Sequence, residues 1–341
     1  MQRGSGPSPT RPRDFLRFWE KTRTELGLVS PEIEREPEVY GGVAFLRRQG
    51  QLPRNTLHPT AQADLHLENI SFASLRDARI HGYLLRWDDD EERPLVIHSH
   101  GYNSQAEVRW SWAARGINVL GIDVRGFGRS RAALEAPSRW GFMLTGRESP
   151  ETYVLRGAVC DLMRAVEVGQ SILGPRVERL VIHGVSFGGA LALMSEAVMQ
   201  VADFLTVGVP TFGWAEGRHF FVKRGSGSEI NDFLDSHPYE AEDLMFVLRY
   251  FDTMNFAGLV RCPALVGLGQ KDEVVPSPTV YAVANHLGGP HEIMEFPVSH
   301  SQAPEQRLWK HFEDNWLTLA TEGVPPDFGA PMEAAPDPAR G

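Results

Sequence analysis

The chain has 341 residues, 42% of them hydrophobic, and 34 basic against 44 acidic side chains give it a net charge of −10. That apolar fraction supports a substantial core, enough for one large domain or two small ones. With no basic block the chain is not expected to bind nucleic acid, and no apolar run approaches the roughly 20 residues of a membrane span. Residues 1–12 read as a disordered lead, and Met1 to Arg13 lacks the apolar segment of a secretory signal, so a cytoplasmic protein is expected. The two cysteines, Cys160 and Cys262, fall at a helix position and a strand entry, which reads as two structural thiols rather than a disulfide framework.

A helix is expected from Asp14, its N-cap, with Phe15, Phe18, Trp19, Thr22 and Leu26 on one stripe and Gly27 and Pro31 ending it. After a Pro-punctuated loop, Leu65, Leu67, Ile70 and Phe72, then Ile80, Gly82 and Leu84, alternate as two antiparallel strands around a Leu75–Ala78 turn. From Pro94 the pattern changes. Leu95-Val96-Ile97 is a short buried strand running into His98-Ser99-His100-Gly101-Tyr102-Asn103, followed by a helix carrying Trp110 and Trp112. Asn118 to Ile122 is a strand ending in Asp123-Val124-Arg125-Gly126-Phe127-Gly128. Ser149-Pro150-Glu151 predicts a helix start, with the helix running to about Ser171.

Next, Leu180 to Ile182 predicts a strand that breaks into Gly184-Val185-Ser186-Phe187-Gly188, after which an Ala/Leu-rich run continues as a helix. This strand–turn–helix setting gives the Gly-x-Ser-x-Gly motif its meaning: the serine hydroxyl is pushed above the sheet edge, and the helix start supplies N–H groups for a developing oxyanion. Strands follow at Phe204 to Val209, Cys262 to Gly267 and His291 to Phe296, with helices over Thr279 to Leu287 and Pro304 to Ala320. Short apolar strands alternating with helices imply an α/β protein, a mostly parallel sheet with helices on both faces. The expectation is a single domain over 13–321, with residues 211–256 as an inserted lid shaping a pocket, and 322–341 as a disordered tail.

A serine hydroxyl needs a histidine to take its proton and an acid to hold that ring. On this fold they follow in the order Ser, acid, His. Asp272 and His300 stand in that order just after predicted strands, where open α/β sheets place their ligands. Ser186, Asp272 and His300 are therefore the expected catalytic residues, with Glu273 the nearest rival to Asp272. The expected oxyanion donors are the backbone N–H groups of Phe187 and Tyr102. His98 and His100 share a strand face but lack a third ligand of fitting spacing, so no metal is expected; they and His183 read as packed, hydrogen-bonded residues. Arg125 reads as a structural brace.

These motifs resemble the acetyl xylan esterase and cephalosporin C deacetylase group of α/β-hydrolases over about residues 14 to 318. The matching stretches include Asp14-Phe15 with Phe18-Trp19-Glu20, His100-Gly101-Tyr102-Asn103 and Asp123-Val124-Arg125-Gly126. The Gly-x-Ser-x-Gly turn, Tyr250-Phe251-Asp252 with Asn255, Pro276 to Tyr281 and Gly289-Pro290 through His300 also match. The resemblance implies the same triad and oxyanion donors, and a narrow acyl pocket bounded by Tyr102, Pro210 and Val274. It further implies a cytoplasmic homo-oligomer, often a hexamer, acting on small acetylated sugars with no cofactor. The family usually carries Gln where this chain has Phe127 and Phe187, and Glu where it has Ser301. Two aromatic residues near the mouth open the alternative of longer or more apolar esters, or amides; a hydrolase-fold binding protein without catalysis is the reading from another class.

Overall fold

The structure, a computed structural model, describes residues 7–50, 64–300 and 306–323. Among the described residues nine strands form one sheet: β1 (Glu34–Gly42), β2 (Asp64–Ser74), β3 (Ala78–Asp88), β4 (Arg93–Ser99), β5 (Asn118–Asp123), β6 (Val177–Val185), β7 (Phe204–Gly208), β8 (Ala264–Gly269) and β9 (His291–Phe296). The helices in the first half are α1 (Phe15–Gly27), α2 (Val43–Arg48), the single turn α3 (Trp110–Ala113), α4 (Val154–Leu173) and α5 (Phe187–Met199). Then come α6 (Ala215–Phe221), α7 (Ser226–Ser236), α8 (Ala241–Leu248), α9 (Thr253–Ala257), α10 (Ser277–Ala284) and α11 (Gln306–Glu322).

The sheet order is β1-β2-β3-β5-β4-β6-β7-β8-β9. β1, β2, β3 and β5 pair antiparallel in turn, and from β5 onward every pairing is parallel. One apolar core lies on the face covered by α1, α4, α5 and α10; a second lies on the opposite face under α3 and α11. Parallel strands buried on both faces explain why β4, β5 and β7 read as continuous apolar runs rather than alternating ones.

The α1 stripe is as expected: Phe15, Phe18, Trp19, Thr22 and Leu26 are all buried. Asp14 sits at the N-cap position without capping; its carboxylate accepts the Tyr250 hydroxyl at 2.5 Å instead. β2 and β3 form the expected hairpin, turning through Leu75–Asp77 with Arg76 and Asp77 at positive φ.

Two expectations need correction. The stretch before β2, read as a loop, contains β1, an edge strand whose register shifts between Pro37 and Val39. An edge position tolerates a proline that cannot donate to the ladder. The helix expected from Ser149 begins at Val154, because Ser149 closes a turn in which its carbonyl accepts from Thr152 and Tyr153 N–H.

Of the expected lead, residues 1–6 lie outside the described residues, while Arg11 is anchored through Nε to the Asn255 carbonyl at 3.0 Å. Residues 324–341 of the expected tail, and Ser301, are also outside them. Residues 211–256 hold α6, α7, α8 and most of α9. Both cysteines are free thiols, and burial pushes that of Cys160 up to about 12. Among the described residues no helix is long and apolar enough to cross a membrane.

Candidate active site

Ser186 stands between the last residue of β6 and the first of α5, at φ 57° and ψ −117°. Such a conformation costs a non-glycine residue on the order of 1–3 kcal/mol, so its surroundings must enforce it. They do so by crowding. A Cβ added at Gly184 would lie 2.1 Å from the Gly188 carbonyl oxygen, and one at Gly188 would lie 2.9 Å from that of Ser99. The Ser186 N–H donates to Gly208 at 2.8 Å, tying the turn to β7. The two glycines of the motif are thus where strand, helix and the loop after β4 approach too closely for a side chain.

Asp272 and His300 come from the loops after β8 and β9. These loops clamp each other: Gln270 N–H donates to Phe296 at 2.8 Å and Lys271 N–H to Val298 at 3.0 Å. The buried Asp272 carboxylate accepts the Val274 and Val275 N–H groups on Oδ1, both at 2.8 Å, and His300 Nδ1 on Oδ2 at 2.7 Å. With Nδ1 donating, the neutral ring keeps its lone pair on Nε2, the tautomer a general base needs.

Phe187 opens α5, so its N–H belongs to the first turn, whose donors have no partner within the helix and favour negative charge. Tyr102 lies on the loop after β4, and its ring centroid is 5.8 Å from that of Phe187. Pro210 is buried beside the start of α5: a Cβ at Gly189 would lie 3.4 Å from its Cα. Val274 is half-buried and follows Asp272 by two residues, next to Gly225. The structure therefore brings Asp272 to His300, and Tyr102 to Phe187.

Phe127 and Phe187, expected near the mouth, are 7% and 0% exposed. Their centroids lie 5.8 Å apart, and Phe142 packs on both, at 4.5 Å from Phe127 and 6.0 Å from Phe187. Large apolar side chains that pack on one another in this way gain from burial.

The other polar candidates are accounted for by their own bonds. The His98 ring bonds the Tyr83 hydroxyl through Nε2 at 2.7 Å. His100 Nδ1 donates to Gly101 at 2.7 Å while Nε2 accepts the Val124 N–H at 3.2 Å. His183 Nδ1 bonds Thr206 Oγ1 at 2.9 Å, and its ring stacks on Trp316 at 4.1 Å. Burial lowers all three below the usual imidazole range, so they stay neutral near pH 7. Arg125 is a brace, its Nε and Nη2 donating to the two carboxylate oxygens of buried Asp161 at 3.0 and 2.7 Å. Among the described residues no three His, Cys, Asp or Glu side chains group as a metal site.

Sequence reasoning missed Glu229, in the first turn of α7. One of its carboxylate oxygens accepts the Tyr102 hydroxyl and the other the Met143 N–H at 3.0 Å. No local signal marks it, since its partner is 127 residues away.

The family described as acetyl xylan esterase (AXE1) matches residues 56–315. The acetyl esterase Axe7A of Xylanibacter ruminicola is 23% identical over 308 residues, covering 86% of this chain. The chain spans 64% of the length of that curated relative. An acetyl xylan esterase from Paenibacillus sp. R4 superposes with a TM-score of 0.74 at 20% identity, over 91% of this chain and 96% of that one. Acetyl xylan esterase 1 from Thermoanaerobacterium sp. JW/SL YS485 does so with 0.74 at 22% identity, over 90% and 95%. At these identities the likeness is one of fold, the α/β-hydrolase fold expected above.

Proposed function

The chain belongs to the acetyl xylan esterase family of α/β-hydrolases, and from that premise we propose that it is a serine esterase. It removes short acyl groups, acetyl first, from hydroxyls of a carbohydrate or similar small molecule. The observation that carries this reading is the Asp272–His300 pair, held at 2.7 Å on the same edge of the sheet as the strained Ser186 turn. Ser186 Oγ attacks the ester carbonyl as His300 Nε2 takes its proton, and Asp272 steadies the imidazolium. The N–H groups of Phe187 and Tyr102 receive the oxyanion, each such donor contributing about 10²–10³ in turnover. His300 returns the proton to the leaving alcohol, then draws one from water, which attacks the acyl-serine; as the acyl–Oγ bond breaks and acetate leaves, that proton passes from His300 to Ser186 Oγ. This sequence calls on no metal or cofactor.

Phe127 and Phe187 are both buried and pack on Tyr102, so they add little exposed apolar surface to the site. The resemblance supports a cytoplasmic homo-oligomer, and the exposed rings of Phe220, Tyr239 and Phe246 give residues 211–256 apolar surface for such contacts.

The test is acetate release from acetylated xylo-oligosaccharides against simple alkyl acetates, with wild type and Ser186→Ala. Faster release from the sugars, lost in Ser186→Ala, is expected. Undiminished turnover in the variant, or a butyryl ester preferred over its acetyl counterpart, would overturn the reading.

A further inference from the structure

The segment from Lys223 to Glu229 is fastened at both ends to the loops expected to do the chemistry. At one end, Lys223 N–H donates to the Glu273 carbonyl at 3.1 Å, one residue from Asp272 in sequence. Gly225, at φ +74°, sits so close to Val274 that an added Cβ would meet Cγ1 at 2.7 Å. At the other end Glu229 holds the Tyr102 hydroxyl. Gly141 makes room for it: a Cβ there would lie 2.2 Å from Glu229 Oε2. The strap thus joins Val274 to Tyr102, two of the three residues that the resemblance sets around the acyl group.

We propose that Glu229 is a positioning residue that fixes Tyr102, and through it both the oxyanion loop and the width of the acyl pocket. The inference rests on the esterase reading above. A hydrogen bond from a phenol to a carboxylate is roughly twice as strong as a neutral one, and the second carboxylate oxygen is held by the Met143 N–H. Glu229 therefore cannot swing without giving up both bonds. Burial and the neighbouring carboxylate hold the Tyr102 hydroxyl well above the usual phenol range, so it remains the donor. The phenol ring meets Phe127, Phe142 and Phe187 edge-on at 5.5, 6.1 and 5.8 Å. With its far end tethered by Glu229, the ring has one position, and the loop N–H beneath it has one direction.

The experiment measures kcat and KM on aryl acetate, propionate and butyrate for wild type, Glu229→Ala, Glu229→Gln, Tyr102→Phe and the Glu229→Ala/Tyr102→Phe double variant. Displacing a catalytic group by about 1 Å can cost 10²-fold, so a fall in acetate kcat of roughly 10- to 100-fold is expected in Glu229→Ala. KM should change much less, and the acetate-to-butyrate ratio should shrink. Glu229→Gln keeps a carbonyl acceptor for the phenol but turns its NH2 toward the Met143 N–H, so it should recover only part of the loss. The double variant should be no worse than either single one, because both remove the same bond. Additive losses, or acetate kcat and acyl preference unchanged in folded Glu229→Ala, would overturn the proposal. Should Glu229→Ala fail to fold, Tyr102→Phe, which removes only a hydroxyl, decides by the same criteria. A wild type that cleaves none of the esters defeats the esterase reading itself, whereas an active wild type with a flat Glu229 series defeats only the positioning role.

Discussion

Asp272 Oδ2 and His300 Nδ1 meet at 2.7 Å, and the carboxylate's other oxygen is held by two backbone N–H groups of its own loop. The acid is fixed before the histidine arrives, so it dictates the ring's tautomer rather than adapting to it. Asp272→Asn keeps the shape but offers an amide that can hold the wrong tautomer, and kcat should fall by about 10⁴. Steady-state kinetics on an aryl acetate check this; a loss below tenfold would mean that Asp272 does not orient the base.

The glycines of the serine turn are set by contact distance. Gly184→Ala would place a methyl group 2.1 Å from the Gly188 carbonyl, against backbone on a short turn. Overpacking of this kind costs about 3 kcal/mol or more, so the urea midpoint should drop and activity with it. A variant with the wild-type midpoint would show that the turn has slack the structure does not show.

Arg218 should be dispensable for stability. It is 7% exposed, its Nη2 is buried without a hydrogen-bond partner among the described residues, and its charge rests over the Phe212 ring at 4.9 Å. Asp252, which acts on it electrostatically, has its oxygens engaged by the N–H groups of Trp214, Ala215 and Met254. Burial pushes the guanidinium down to about 10, so it is still charged at neutral pH. Arg218→Met removes a buried charge with an unpartnered Nη2, at the loss of its through-space attraction to Asp252, and should leave stability unchanged or raise it slightly. Equilibrium urea unfolding reads the result, and a clear loss of stability would show that the attraction to Asp252 outweighs the cost of burying the guanidinium.

Acid should weaken the fold through His183. Burial lowers its folded value from 6.5 to about 3. Above pH 6.5 the ring is neutral folded and unfolded, and its contribution is complete. As pH falls toward 3 the unfolded chain takes up a proton that the folded one refuses, and stability is lost. By pH 5 the loss from this one residue is about 2 kcal/mol. His183→Phe keeps a ring to stack on Trp316 and should show a smaller drop between pH 8 and pH 5. Parallel pH profiles for the two proteins would contradict the assignment.

What could be read from the sequence was whatever is periodic or local. The α1 stripe, the hairpin alternation and the strand–serine–helix run each confine their signal to one short stretch of chain, and each appears in the structure where expected. β1 was obscured because an edge strand need not alternate cleanly, and Pro37 looks like a loop residue. The start of α4 was misplaced because a serine before Pro150 also suits a turn, and the Ser149 carbonyl closes one. That Phe127 packs on Phe142 and Phe187 was not legible, because no local pattern relates the three rings. Glu229 meets Tyr102 only because the chain returns over the sheet.

The central claim is that Ser186 is the nucleophile, and the most direct test is covalent. Intact-protein mass spectrometry after treatment with a serine-directed phosphonate should show one adduct, mapped to Ser186, with esterase activity lost in proportion and Ser186→Ala left unmodified. An unlabelled but active wild type, or an adduct that persists in Ser186→Ala, would contradict it.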